Sequence, residues 1–144
     1  MGDGAFEPSE KAAQEMVTMA GHWADHGRQY GLDLDYSDDS IGVAEALGLR
    51  LYEAIPHDES GELTDQERIV TLELAAYIGE SFIRSHGGEW GWAQNGRGRD
   101  LGLRTGDGIT VYPIATVTHR LAGSDVDSLV IFYRLISNWP IAQA

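Results

Sequence analysis

The 144-residue chain contains no cysteine. That absence excludes a disulfide framework, Cys-ligated zinc, iron–sulfur clusters and a thiol nucleophile. Lys11 is the only lysine, so every other cationic side chain apart from histidine is an arginine. Positive charge is scarce overall: Lys+Arg 10 against Asp+Glu 23 gives a formal net charge of −13. A phosphate-backbone binder needs a basic face, so direct binding to DNA, RNA or anionic lipid is not expected. No apolar run reaches the roughly 18 residues of a membrane-spanning helix. Met1 to Glu10 has neither a basic flank nor an apolar stretch, so no secretory signal is expected there. Cysteine-free composition fits a reducing compartment, and a cytoplasmic location is the expectation.

What is present is enough for a core. Hydrophobic residues make up 42%, and a chain of this length buries roughly 68–70% of its unfolded surface. The expected organisation is a flexible tail at residues 1–7 followed by a single α+β domain over residues 8–144. Ser9 caps a first helix with Glu10 near its positive end, and Ala13, Met16, Val17, Ala20 and Trp23 recur at helical spacing. Gly31 suits its stop. Leu32 to Tyr36 reads as an extended link. Ser37 or Asp38 then caps a second helix, whose apolar face is Ile41, Ala44, Leu47, Leu51 and Ile55 and which Pro56 ends. His57 to Leu63 is a polar loop. Thr64-Asp65-Gln66-Glu67 has the reciprocal capping-box pattern. It opens a third helix running to about Ser85, with Ile69, Leu72, Ala76, Phe82 and Ile83 inward, broken by Gly87-Gly88.

The period then changes from helical to two. Trp90 and Trp92 share one strand face, Gln94 to Asp100 is a glycine-rich turn, and Leu101 and Leu103 alternate likewise. Gly106-Asp107-Gly108 is a hairpin turn leading into Ile109 to Tyr112. Pro113 opens a short helix ended by Gly123. Ser124 to Asp127 opens a last helix, with Val126, Leu129, Val130, Tyr133 and Ile136 as its stripe, stopping near Trp139-Pro140. The expected order is therefore ααα-βββ-αα: three helices, a three-stranded antiparallel meander, and two helices.

Few residues carry chemistry. His22 and His26 stand four apart on one helix face and are the only metal candidates; two ligands make no closed site, so no metal and no other cofactor is expected. Asp33, Asp35, Ser37 and Asp39 mimic a calcium loop, but Asp38 stands where glycine is needed and Ala44 where a bidentate glutamate is needed. Asp33, Asp35, Asp38 and Asp39 read better as an acidic cap cluster available to a partner. The Gly96-to-Gly102 stretch lacks the spacing and the following helix of a phosphate cradle. Its arginines Arg97 and Arg99, with Arg104, are the only local basic cluster. Glu80, in an apolar helical run, needs a partner if it faces inward; Arg120, Arg134, the Trp90 N–H and His86 are candidates. Glu80 and His86 are the candidate catalytic residues, and Trp90, Trp92, Arg104 and Tyr112 the candidate ligand-binding set. Ser81, Ser85 and Ser128 sit in no nucleophile motif.

Two blocks carry a resemblance. Tyr77-Ile78-Gly79-Glu80 leads to Gly87-Gly88-Glu89-Trp90, and Pro113 to Arg120 is followed by Asp127-Ser128-Leu129 and Phe132-Tyr133-Arg134. This resembles a group of uncharacterised bacterial proteins, a domain of unknown function, in which a "YLGE" helix enters a "GG-x-W" strand. The likeness covers about Ala75 to Arg134, with a fainter echo in Leu32 to Ser40. Ile78 stands where leucine is usual. The resemblance implies an α+β fold and a bacterial intracellular setting, and brings no established activity.

The charge and the lack of a complete catalytic constellation point to a non-enzymatic interaction module of the immunity or inhibitor type with a basic protein partner. The alternative is a small-molecule or enzymatic pocket around Glu80, His86, Trp90 and Trp92, with Arg104 or Arg120 for an anion. A structural, oligomerising role is a third reading, and the sequence sets no oligomeric state.

Overall fold

The structure, a computed structural model, describes residues 6–95, 98–123 and 128–143. Its elements are β1 (Phe6–Pro8), α1 (Glu10–Gln29), α2 (Ser40–Ala54), α3 (Asp65–His86), β2 (Glu89–Asn95), β3 (Gly98–Arg104), β4 (Thr110–Val111), α4 (Pro113–Leu121) and α5 (Leu129–Gln143). The class is α+β, with five helices and one antiparallel sheet in the order β1-β2-β3-β4 among the described residues.

The first strand corrects the expected three-stranded meander. Phe6 and Glu7, placed in a flexible tail by sequence, pair with Ala93 and Trp92 of β2. Three residues carry too short a pattern to announce a strand; only the free edge of β2 makes them one. The expected turn at Gln94 to Asp100 is also largely strand, since Gln94 pairs with Arg99 and Asn95 with Gly98. Gly96 and Arg97, like Ser124 to Asp127 and the Trp139 side chain, lie outside the described residues.

Helix ends follow local chemistry. Ser9 Oγ accepts the Ala12 N–H at 3.1 Å. At α3, Thr64 Oγ1 accepts the Glu67 N–H at 3.1 Å while a Glu67 carboxylate oxygen accepts the Thr64 N–H at 2.6 Å, closing the capping box. α2 departs from expectation: its cap is Asp39, which makes no side-chain cap bond, instead of Ser37 or Asp38. Asp38 is engaged elsewhere, and the turn closes through Ser40, whose hydroxyl donates to the Ser37 carbonyl at 2.7 Å. α5 runs past the expected stop at Pro140, to Gln143.

α3 is the central element, packed against α1, α2, α4 and α5. Along it Leu74 to Glu80 is buried without interruption. Ile69, expected inward, is 52% exposed: Glu67 and Thr71, two positions to either side, are the buried residues of these turns, so Ile69 lies on the outward face of α3. Trp23, Tyr77, Met16 and Ile41 are the largest fully buried side chains. The sheet lays Trp90 and Leu103 against α3 at Gly79. A Cβ there would stand 2.2 Å from the Trp90 ring and 3.3 Å from Leu103, so only glycine admits this approach.

Candidate functional site

The end of α3 brings the motif residues together. Glu80 is 6% exposed, and the Trp90 indole N–H donates to its Oε2 at 3.0 Å. Of the expected partners, Trp90 alone is the one it uses. Arg120 instead binds Glu45, Nε to Oε2 2.7 Å, and Arg134 is exposed. Arg84, one turn after Glu80, stands 3.9 Å from Oε1, beyond hydrogen-bond reach. Its guanidinium lies 3.6 Å above the Tyr36 ring.

His86 faces away from Glu80. Its Nε2 stands 3.2 Å from Asp38 Oδ1, and the Tyr133 hydroxyl donates to the same oxygen at 2.5 Å. Burial first, then the Asp38 carboxylate, push the Tyr133 hydroxyl far above the ordinary tyrosine range, so it stays a donor. The two candidate catalytic residues thus belong to two different constellations.

The candidate ligand-binding set is also divided. Trp90 and Trp92 share a face, opposite Leu103 and Leu101. Trp92, however, is 37% exposed at the rim, with the Arg99 guanidinium 5.8 Å from its ring. Arg104 pairs with Glu89, one position out of step with Trp90, so period two sends it to the opposite face. There its guanidinium lies 5.5 Å from the Phe6 ring. Tyr112 is on that far side too, against Gly102. Trp90, Trp92, Arg104 and Tyr112 therefore line no common pocket. The arginine cluster separates likewise: Arg99 faces the Trp92 side and binds Glu7 at 2.9 Å, while Arg104 faces the other.

His22 and His26 gain a partner that sequence spacing could not supply. His22 Nδ1 stands 3.3 Å from Glu73 Oε2, and His26 Nε2 3.0 Å from Glu73 Oε1. Each imidazole takes a different oxygen of one carboxylate. Among the described residues no group of three or more His, Cys, Asp or Glu side chains is arranged to hold a metal ion. Glu67 shows the same structural use. The Thr64 N–H first, then His57 at 2.6 Å, hold its carboxyl down at about 2, and Tyr52 also donates to it. Burial and that carboxylate in turn push the Tyr52 hydroxyl up to about 12. Glu45 accepts the Leu129 N–H as well as Arg120.

The acidic segment before α2 is different: Asp33, Asp35, Asp38 and Asp39 are all exposed. Between them the chain is pinned. Leu34 is buried, and the Tyr36 N–H donates to the Tyr77 hydroxyl at 2.8 Å, with the two rings stacked at 4.9 Å. Tyr36 holds φ at +66°, a left-handed conformation costly for a side chain with a Cβ. Bonds from the Ser37 hydroxyl and N–H keep the Asp35 carboxyl below its ordinary value, so it stays charged. No helix of the described residues is long and apolar enough to cross a membrane. Set beside protein-family models, curated proteins and solved structures, the chain matches none.

Proposed function

We propose that this chain is a non-enzymatic interaction module of the immunity or inhibitor type, which binds a basic protein partner through the turn at residues 33–39. One observation carries the reading: four exposed carboxylates are displayed on a turn held rigid at Leu34 and Tyr36. Charge steers an oppositely charged partner and sets the association rate. A pinned turn pays less ordering entropy on binding than a mobile one. The net charge of −13 extends the same field over the molecule. The buried glutamates Glu45, Glu67 and Glu73 have hydrogen-bonding or ionic partners within the fold, which favours binding over catalysis. The resemblance to uncharacterised bacterial proteins makes a bacterial lysate the first source in which to seek the partner.

The test is affinity capture from a bacterial lysate with the wild-type chain and an Asp33→Asn/Asp35→Asn/Asp39→Asn variant. Asp38 is left intact because it holds Tyr133 and His86. A basic protein captured by the wild type, released by salt and lost with the variant is the expected result. Capture that is equal for both chains, or insensitive to salt, overturns the reading.

A further inference from the structure

A groove of about 280 Å³ lies between α5 and the hairpin that joins β3 to β4. Ile109 and Val111 form its sheet wall, Phe132 and Ile136 its helix wall, and no charged side chain lines it. Val111 stands opposite Leu103, which packs against α3 at Gly79, so this wall belongs to the helix-covered face of the sheet. Among the described residues no strand lies beyond β4, so the groove sits at a sheet edge. Beside it Ile131 and Leu135 form a ridge. They stand four apart on α5 and are 55% and 61% exposed. Single exposed apolar side chains are ordinary, whereas a ridge bordering an apolar groove is a patch of the kind that marks an interface.

Charge identifies the occupant. Two chains at −13 repel each other wherever their carboxylates meet. α5 has no Asp or Glu along its length, and Arg134 is its one charged residue. Arg134 is exposed, and its guanidinium has no ion pair or hydrogen bond among the described residues. Asp107, exposed at the tip of the hairpin, is likewise unpaired. Helical period places Phe132 and Ile136 nearest the hairpin, Leu135 and Ile131 next, and Arg134 beyond them. The order across this face is therefore Asp107, groove, ridge, Arg134.

We propose that a second copy of this chain covers the face, in a two-fold dimer. A two-fold axis through the middle of the face reverses the order in the second copy. The ridge of each copy then meets the groove of the other, and Arg134 of each meets Asp107 of the other. The surface is thus complementary to itself in shape and in charge, as an isologous interface requires. The other side of α5 is already occupied, since Val130 faces Gly42 of α2 and Tyr133 donates to Asp38. The turn at residues 33–39 lies on that side, away from the paired face, and the pairing is independent of the basic-partner reading.

Sedimentation equilibrium of the full chain over a range of concentrations tests the pairing. The mass should approach twice that of one chain as concentration rises. Ile131→Glu/Leu135→Glu, at two exposed positions, should leave the circular dichroism unchanged and give a monomer. Arg134→Asp sets like charges against each other at both ends of the interface and should raise the dimer Kd by about fivefold or more. Adding Asp107→Arg to that variant should restore the wild-type Kd, a rescue that damage to folding does not produce. A monomer at every concentration, a dimer that survives the double glutamate variant, or a charge reversal that Asp107→Arg does not rescue overturns the proposal.

Discussion

The Tyr36 N–H donates to the Tyr77 hydroxyl at 2.8 Å, joining a strained residue of the acidic turn to a fully buried residue of α3. The same hydroxyl meets Ser40 Oγ at 2.6 Å. Tyr77→Phe leaves the Tyr36 N–H and Ser40 without this partner. Stability should fall by about 1–3 kcal/mol in urea titration, the cost of an unsatisfied buried group. Partner affinity should fall with it, because the turn loses its pin. Tyr36→Phe keeps the stack and the N–H, and should change both little.

Gly79 and Gly21 are both helical glycines with opposite prospects. Alanine at Gly79 places a Cβ 2.2 Å from Trp90 and forces the indole off Glu80. Gly79→Ala should destabilise by about 1–3 kcal/mol despite better helix propensity, and shift the tryptophan fluorescence. Gly21 has no atom within 4 Å of the same position. Gly21→Ala should stabilise by roughly 0.5–1 kcal/mol in the same assay.

Glu67 predicts a pH dependence with a definite sign. Its folded value of about 2 lies below the ordinary 4.5, so the unfolded chain binds the proton more readily. The stability it contributes is complete above the unfolded value and is lost as pH falls through the folded one. The difference in thermal midpoint between wild type and Glu67→Gln should be constant above about pH 5.5 and close steadily toward pH 2. A difference that grows on acidification would contradict the bonding described for Glu67.

Glu45 and Arg120 form a largely buried ion pair, with side chains 10% and 19% exposed. Glu45→Ala removes one partner and also frees the Leu129 N–H at the start of α5. The cost should be about 3–5 kcal/mol by chemical denaturation. Glu45→Gln, which keeps both acceptor contacts, should cost less than half of that. Equal losses would mean that the carboxylate charge carries the interaction and that the retained hydrogen bonds add nothing.

Much of the fold was legible because its causes are local. The Ser9 cap, the Thr64–Glu67 capping box and Pro113 at the first position of α4 each involve residues within a turn of one another. The change from helical period to period two after Gly88 located β2 and β3. Where reasoning from pattern failed, the deciding contact was distant. Phe6–Pro8 becomes a strand only because β2 offers an edge. Asp38 leaves the α2 cap because Tyr133, 95 residues later, and His86 hold it.

The candidate site followed the same division. The sequence by itself determined that Glu80 is a carboxylate in an apolar helical run, that Trp90 follows a glycine break, and that residues 33–39 concentrate negative charge. Tertiary structure alone decided that Glu80 meets Trp90 and not His86, and that Glu73 is shared by His22 and His26. It also decided that Arg104 and Tyr112 lie across the sheet from Trp90. The physical reason is range. Caps and periodicities are imposed by neighbours along the chain, whose geometry the backbone fixes. Partners 47 or 95 residues apart meet only where the packing of whole elements places them.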